Sequence, residues 1–281
     1  MKKFIRFLFI LLLIILLLLI YCRYEGTRGL ITKEYKIETN SIPSSFDGLK
    51  ILHFSDLHYL RVVDDNMLKK VVEEINLINP DIVIFTGDLI DKDFNINDKQ
   101  KQQLITLLKS INSKYGKYSI IGNHDYIKDK EEIETIYNES NFILLQNTYD
   151  IIYNSENEKI FLGGLDTYSY DKADIDKVMD YFENNDNIDY KIILVHEPDY
   201  IDTITSKYDV DLVLAGHSHN GQINIPFVKN FILPYGSKKY YKNYYNVDNT
   251  PLYISSGIGE SRINLRFLNK PSINFYRINK I

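Results

Sequence analysis

Apolar residues follow two different patterns along this chain. From Phe7 to Cys22 they are unbroken, with Lys2, Lys3 and Arg6 ahead of them. Counted from Phe4, with the Arg6 side chain snorkelling, nineteen residues at about 1.5 Å each give about 28 Å, close to the roughly 30 Å hydrocarbon thickness of a bilayer. The residues that follow, Ile20-Tyr21-Cys22-Arg23-Tyr24, offer no small-x-small cleavage site, and Tyr21 is a poor neighbour for a processed lipoprotein cysteine. Residues 1–22 therefore read as an uncleaved single-pass anchor. Three positive residues before the span, against Arg23 and Arg28 after it, give a modest bias toward an inside N-terminus and an extracytoplasmic domain at the cell membrane.

The second pattern begins after residues 23–45, a polar stretch with Gly26, Gly29 and Pro43 that reads as a stalk. Short apolar runs (KILHFS, DIVIFT, KYSII) then alternate with segments of helical period. VDDNMLKKVVEEINLINP has its apolar residues on one helical face, Asp64 or Asp65 as N-cap and Pro80 beyond its end; NDKQKQQLITLLKSI and KEEIETIYNES predict two more helices. Past residue 140, FILLQN, YDIIYN and EKIFLGGL predict strands with no helix between them. Alternation returns with a helix near DKADIDKVMDYFE, the strand KIILV, a helix near YIDTITSKY and the strand DLVLA. From Gln222 the pattern is short strands and turns, ending in PLYISS, RINLRFL and SINFYRI. The fold class predicted for residues 46–281 is α/β, a two-sheet β-sandwich flanked by helices, preceded by the transmembrane helix. One stretch, PYGSKKYYKNYYNVDN at 234–249, carries tyrosines with Lys238, Lys239 and Lys242. It reads either as a solvated loop or as a lip at a substrate or membrane surface.

Composition narrows the function. A chain of 281 residues, 44% hydrophobic and 25% charged, suits one globular domain with a sizeable core. A net charge of −5 opposes nucleic acid as a partner, because such binding works by neutralising phosphates. The single cysteine, Cys22, excludes an intrachain disulfide.

Five polar motifs sit at the ends of five apolar runs: Asp56-Leu-His58, Gly87-Asp88-Leu-Ile-Asp91, Gly122-Asn123-His124-Asp125, Val195-His196-Glu197 and Gly216-His217-Ser218-His219. They use five of the six histidines; His53, inside the first strand, matches no motif and reads as structural. Strands that end together bring their following loops to one edge of a sheet, where open α/β sheets bind ligands. Asp, Asn and His gathered there point to a metal site, and their number points to two ions. Mixed N/O donors without thiolate suit Mn, Fe or Zn. Such a pair activates a water and clamps phosphoryl oxygens, and a spare histidine near the leaving oxygen serves as general acid.

The ordered set SDLH, GDLID, GNHD, VHEP and GHSHNGQ, spanning roughly residues 49–278, resembles the calcineurin-like metallophosphoesterases. That resemblance implies a two-sheet sandwich with a dinuclear centre of divalent transition-metal ions. It implies that Asp56, His58 and His219 hold one metal, that Asp88 bridges, and that Asn123, His196 and His217 hold the other. His124 is then the general acid, oriented by Asp125 or by Asp91. The leader, the GHSHNGQ box and the tail YISSGIG…INLRF are similar to a bacterial membrane-associated or exported branch. That branch includes enzymes acting on UDP-diacylglucosamine-type lipids and envelope phosphodiesterases. The family box is usually GHTHGGQ, so Ser218 and Asn220 depart from it. Lys92 after GDLID departs from the GDxxDRG of protein phosphatases, which makes a phosphoprotein the least favoured substrate. The expected function is a membrane-anchored phosphoesterase acting on a lipid or envelope phosphoester. A catalytically silent metal-binding adaptor and a nuclease are the alternatives.

Overall fold

The computed structural model describes residues 1–183, 188–226 and 233–281. The long apolar run forms α1 (Lys2–Tyr24), long and apolar enough to cross a membrane. The first sheet contains β1 (Ile31–Thr39), β2 (Leu49–Phe54), β3 (Ile82–Phe85), β4 (Gly116–Ser119) and β5 (Ile143–Leu144). Its helices are α2 (Asp65–Ile78), α3 (Asp98–Lys109), α4 (Asn123–Lys128) and α5 (Lys130–Glu139). The second half supplies β6 (Thr148–Tyr153), β7 (Lys159–Gly164), α6 (Ile175–Met179), β8 (Lys191–Val195), α7 (Ile201–Thr205), β9 (Leu212–Ala215), β10 (Tyr244–Val247) and β11 (Thr250–Ile254). The final strand, β12 (Ser272–Lys280), returns to the first sheet.

Local signals set the helix ends. Asp64, not Asp65, caps α2, accepting from the Met67 N–H at 2.8 Å, and Asn79 closes it in the left-handed region just before Pro80. Asn97 and Gln100 cap α3 reciprocally.

The strand order is β1-β12-β2-β3-β4-β5 in one sheet and β10-β11-β9-β8-β7-β6 in the other. Because the central strands are parallel and buried on both faces, they read as continuous apolar runs, and the period of two sorts their side chains. Ile51, Ile82, Ile84, Ile192, Leu194 and Leu214 fill the space between the sheets. The residues between them turn outward: Leu52 and Val83 toward α2, α3 and α5, and Ile193 and Val213 toward α6 and α7. The two-sheet α/β sandwich expected from the sequence is thus present.

Three segments differ from their sequence reading. Within the expected stalk, Ile31–Thr39 is the outer strand β1, paired in parallel with β12 from Ile31–Ser272 to Thr39–Lys280. Its polar composition suits an edge strand with most side chains in solvent, and its partner lies at the other end of the chain. RINLRFL is irregular instead of a strand, because Arg266 is fully buried and donates to several backbone carbonyls. In the tyrosine-rich stretch, Asp199 accepts from the N–H groups of Lys238, Lys239 and Tyr240, and Tyr244–Val247 is a hairpin strand. Residues 227–232 of the C-terminal stretch lie outside the described residues.

The β1 strand carries Lys33 inward, where its Nζ donates to Ser256 Oγ at 2.6 Å and Asn243 Oδ1 at 2.9 Å. Burial, with the Arg266 charge adding, pulls this ammonium down to about 8. A lysine depressed in the folded state penalises folding fully below that value. The penalty is relieved as pH rises toward the unfolded 10.5. Between those two values the folded protein therefore gains stability with pH, by at most about 1.4 kcal/mol per unit from this one proton. Lys117, also pulled to about 8, adds the same trend. Thermal melts from pH 8 to pH 10 should show a shallower rise for Lys33→Met than for the unsubstituted chain; parallel curves would exclude a buried ammonium.

Candidate metal centre

β2, β3 and β4 run parallel, so the loops after Phe54, Phe85 and Ser119 leave the first sheet at one edge. β8 and β9 do the same in the second sheet. The edges are sewn together by backbone bonds: Asp56 N–H to Gly87 O at 2.9 Å, His58 N–H to Asp88 O at 3.1 Å and Gly216 N–H to His196 O at 3.1 Å. Across the sheets, the His217 N–H donates to the Asp56 carboxylate at 3.0 Å. Contact is so close that a Cβ on Gly122 would lie 2.2 Å from Asp88 Oδ1, and one on Gly216 would lie 2.0 Å from Ser55 Oγ. Five of the predicted residues, Asp56, His58, Asp88, His217 and His219, have φ between 44° and 65°. Non-glycine residues held there cost of order 1–3 kcal/mol each, a strain that gathers at functional sites.

Side chains from all five loops meet. Asp56, His58 and His219 form one group and Asp88, His196 and His217 a second, each with its donor atoms within 4.8 Å of one another. His58 Nε2 lies 3.2 Å from His219 Nε2, and Asp56 Oδ1 lies 3.3 Å from the latter. Asp88 Oδ2 stands between the groups, 3.7 Å from His58 Nε2 and 3.4 Å from His196 Nε2. Asn123 lines the same cavity beside Asp88.

The residues present fit a pair of cations. His196 Nε2 and Asn123 Oδ1 are buried with no hydrogen-bond partner, an arrangement proteins avoid unless something else supplies one. The other nitrogen of His196 is committed, since Nδ1 lies 2.6 Å from Thr86 O, and His217 Nε2 lies 2.7 Å from Tyr235 O. Each ring therefore donates one N–H to a carbonyl and keeps a lone pair for the group, as metal-bound imidazoles do. Charge states agree. Burial opposes ionisation of Asp56 and Asp88, but the surrounding imidazoles outweigh it and hold both carboxyls below their usual range. Burial drives His58 down to about 3, and burial with the neighbouring His196 drives His217 down, leaving both neutral. His196 is the exception. Burial lowers it, but the Asp88, Asp56 and Glu197 carboxylates together raise it, the same negative field that would favour a cation.

A third group joins His58, Asp91 and His124. Asp91 Oδ2 is 3.5 Å from His58 Nδ1, 3.6 Å from His124 Nδ1 and 3.1 Å from Arg61 NH1. Asp125 is turned elsewhere: its oxygens accept from the N–H groups of Asp88 at 2.8 Å, Leu89 at 2.7 Å and Gly122 at 3.0 Å. Between the two carboxylates left open by the sequence, the one beside the His124 ring is Asp91. His53 stays outside all three groups, as expected, but its Nε2 lies 2.8 Å from Thr86 Oγ1, the residue whose carbonyl holds His196. Glu197 also points away, accepting from Thr167 Oγ1 at 2.6 Å and from the Tyr168 and Ser169 N–H groups.

Sequence reasoning missed Arg61, Arg266 and Asn269. Arg61 lines the cavity next to His124. Arg266 donates to the carbonyls of Ser256, Gly257, Gly259 and Asn269, and so shapes the loop whose Gly259 N–H meets Asp56 O at 2.8 Å. Asn269 joins the Asn220 amide to the His219 carbonyl, which gives Asn220 a role in place of the family's glycine. Arg61 and Asn269 lie in no predicted strand or motif, and Arg266 lies in the tail INLRF without an assigned role there. A lone arginine in an apolar run, Leu265-Arg266-Phe267, was the available sign.

The chain is similar in sequence or fold to several known proteins. The metallophosphoesterase YkuE of Bacillus subtilis is 34% identical over 259 residues, covering 92% of this chain and 88% of that one. The UDP-2,3-diacylglucosamine pyrophosphatase LpxG of Chlamydia muridarum is 26% identical over 226 residues, covering 65% of this chain and 67% of that one. Among solved structures, the NAD nucleotidase NadN of Haemophilus influenzae matches in fold with a TM-score of 0.50 at 17% identity, over 74% of this chain and 45% of that one. Residues 49–221, which include every member of the three groups, match the calcineurin-like phosphoesterase family, and the chain belongs to that family of metal-dependent hydrolases.

Proposed function

We propose that this protein is a membrane-anchored phosphoesterase that hydrolyses a lipid or envelope phosphoester at a centre of two divalent transition-metal ions. The observation that carries the reading is Asp88, whose carboxylate reaches both groups of buried donors. Asp56, His58 and His219 would hold one ion and Asn123, His196 and His217 the other, with Asp88 between them. Bound there, the pair would supply Lewis acidity to the phosphoryl oxygens and an acidified water. The rest falls to the protein. Asp91 faces Nδ1 of His124 and orients the ring, so that His124 can pass a proton to the leaving oxygen. Asp125 fixes the Asp88 turn through three amides. The ligands offer nitrogen and oxygen without sulfur, which suits Mn, Fe or Zn.

A cavity of about 590 Å³ opens onto the donors, with Arg61, Lys92 and Arg262 among its walls. Those cations complement an anionic phosphoester. The lipid or envelope substrate is supported by α1 and by the similarity to LpxG. In this reading residues 1–22 cross the membrane, and the catalytic body, taken from residue 46 in the sequence, includes β1 as well. The full chain, reconstituted in vesicles and loaded with Mn²⁺, should hydrolyse bis(p-nitrophenyl) phosphate, lose the activity to a chelator, and regain it when divalent metal is restored. Absence of turnover with two metals bound would instead support the silent adaptor.

A further inference from the structure

The cavity has one wall that a soluble phosphoester does not need. Two segments, residues 221–226 and 261–268, are zipped together by Gln222, whose side chain donates to the carbonyls of Ile263 and Leu265, and by the Phe267 N–H on Gln222 O. They present Ile223, Ile225 and Ile263 to the cavity. At their outer edge Ile225, Ile263 and Leu268 are 50%, 45% and 60% exposed.

The position of α1 gives this edge a meaning. The helix leaves the body at Cys22, whose carbonyl accepts from the Arg266 N–H at 3.0 Å, and the Tyr21 ring meets Phe267 edge-on at 6.1 Å. A Cβ on Gly26 would strike Arg266 O at 1.9 Å, so the chain after the helix is pressed onto the same segment. Beyond this contact the apolar residues Phe4–Ile20 are all exposed. The helix end carries Arg23 and Arg28 against the Tyr24 ring, and Arg262 and Lys270 stand exposed on the neighbouring segment. Tyrosine with arginine and lysine is the composition of a water–lipid boundary, and such cations attract anionic headgroups.

Resting on the membrane-anchored phosphoesterase reading above, we infer that the rim of Ile225, Ile263 and Leu268 is seated at the bilayer surface, where it admits an acyl-bearing phosphoester sideways from the leaflet into the metal cavity. The occupant is a membrane lipid. Its chain lies along the isoleucine wall, and its phosphate reaches past Arg61 and Arg262 to the Asp88 donors. The tyrosine-rich stretch at 234–249, the lip considered from sequence, contributes Pro234 to the cavity but anchors Lys238–Tyr240 on Asp199 instead.

The chain contains no tryptophan, so a single introduced one reports its surroundings unambiguously. Ile263→Trp and Leu268→Trp are compared with Ile143→Trp on β5, at the opposite edge of the sheet from β1. Each full chain is placed in phosphatidylglycerol-containing vesicles with plain or brominated acyl chains. Rim residues dipping about 5–10 Å into the boundary should shift to the blue and be quenched, and Ile143→Trp should not. Equal quenching of all three would overturn the seating. Sideways access is read separately, as the ratio of turnover of hexadecyl p-nitrophenyl phosphate in vesicles to that of bis(p-nitrophenyl) phosphate. Ile225→Ser with Ile263→Ser should lower this ratio about tenfold; an unchanged ratio would overturn the acyl route. Failure of the unsubstituted chain to hydrolyse either ester would count against the phosphoesterase reading, and the fluorescence result would stand apart from it.

Discussion

Asp88→Asn lowers turnover of bis(p-nitrophenyl) phosphate by on the order of a thousandfold and leaves fewer than two metals per chain. The substitution isolates charge from shape. Asp88 Oδ1 accepts from the His124 N–H at 2.8 Å, a bond that the Asn oxygen keeps, so the turn and its left-handed φ of 60° are retained. What disappears is the negative charge at Oδ2, between His58 Nε2 and His196 Nε2. One preorganised group aimed at a reacting centre is worth about 100- to 1,000-fold in rate, and Asp88 serves two donor groups at once, which puts it at the upper end. Asp91→Asn is the useful contrast. Its carboxylate meets His58 and His124 at Nδ1, on the side away from the donor pair, so a loss of about 10–100-fold is expected, as for partners behind a metal ligand. Metal analysis and initial rates on the same preparations check both. An Asp88→Asn protein with two metals and near-normal rates would remove the basis for a bridging carboxylate.

The contrast between those two aspartates marks how far the sequence can be read. Donors were legible because each sits directly after a buried strand. β2, β3, β8 and β9 are largely apolar runs, and Asp56, Asp88, His196 and His217 come one to three residues past their ends. The period of two and parallel pairing then fix which edge the loops share. Orientation was not legible. Asp125 follows His124 directly and Asp91 lies in a different motif, yet the turn geometry sends Asp125 toward three backbone amides and leaves Asp91 beside the His124 ring. Long-range pairing was also hidden. β1 looks like a stalk because an edge strand keeps its polar side chains wet, and nothing local announces that its partner is β12 at the far end of the chain. Arg266 belongs to the same class. Burial of a guanidinium depends on carbonyls contributed by residues 256–259 and 269, which no periodicity in RINLRFL encodes.

Arg266→Met destabilises the folded protein by about 3–5 kcal/mol, the cost of removing one partner from a buried charge pair. Arg266 is fully buried, and its Nε lies 3.3 Å from Glu260 Oε1. Glu260 is itself only 1% exposed, and burial pushes its carboxyl up even with Arg266 beside it. Without the guanidinium, that carboxyl and the carbonyls of Ser256, Gly257, Gly259 and Asn269 all lose their donor. Lysine is no substitute, because a point charge with three donors cannot span a planar set of contacts on both sides. Arg266→Lys should therefore recover only part of the loss. Glu260→Gln added to Arg266→Met removes the uncompensated charge and should restore more stability than it costs alone, giving a favourable coupling in a double-mutant cycle read by thermal melts of the reconstituted chain. The same loop touches Asp56 through the Gly259 N–H and packs Gly257 against His219, so metal affinity of the Asp56, His58 and His219 group should weaken in Arg266→Lys even where the fold survives. Additive effects of the two substitutions, with unaltered metal content in Arg266→Lys, would mean that the arginine fills space without organising the loop.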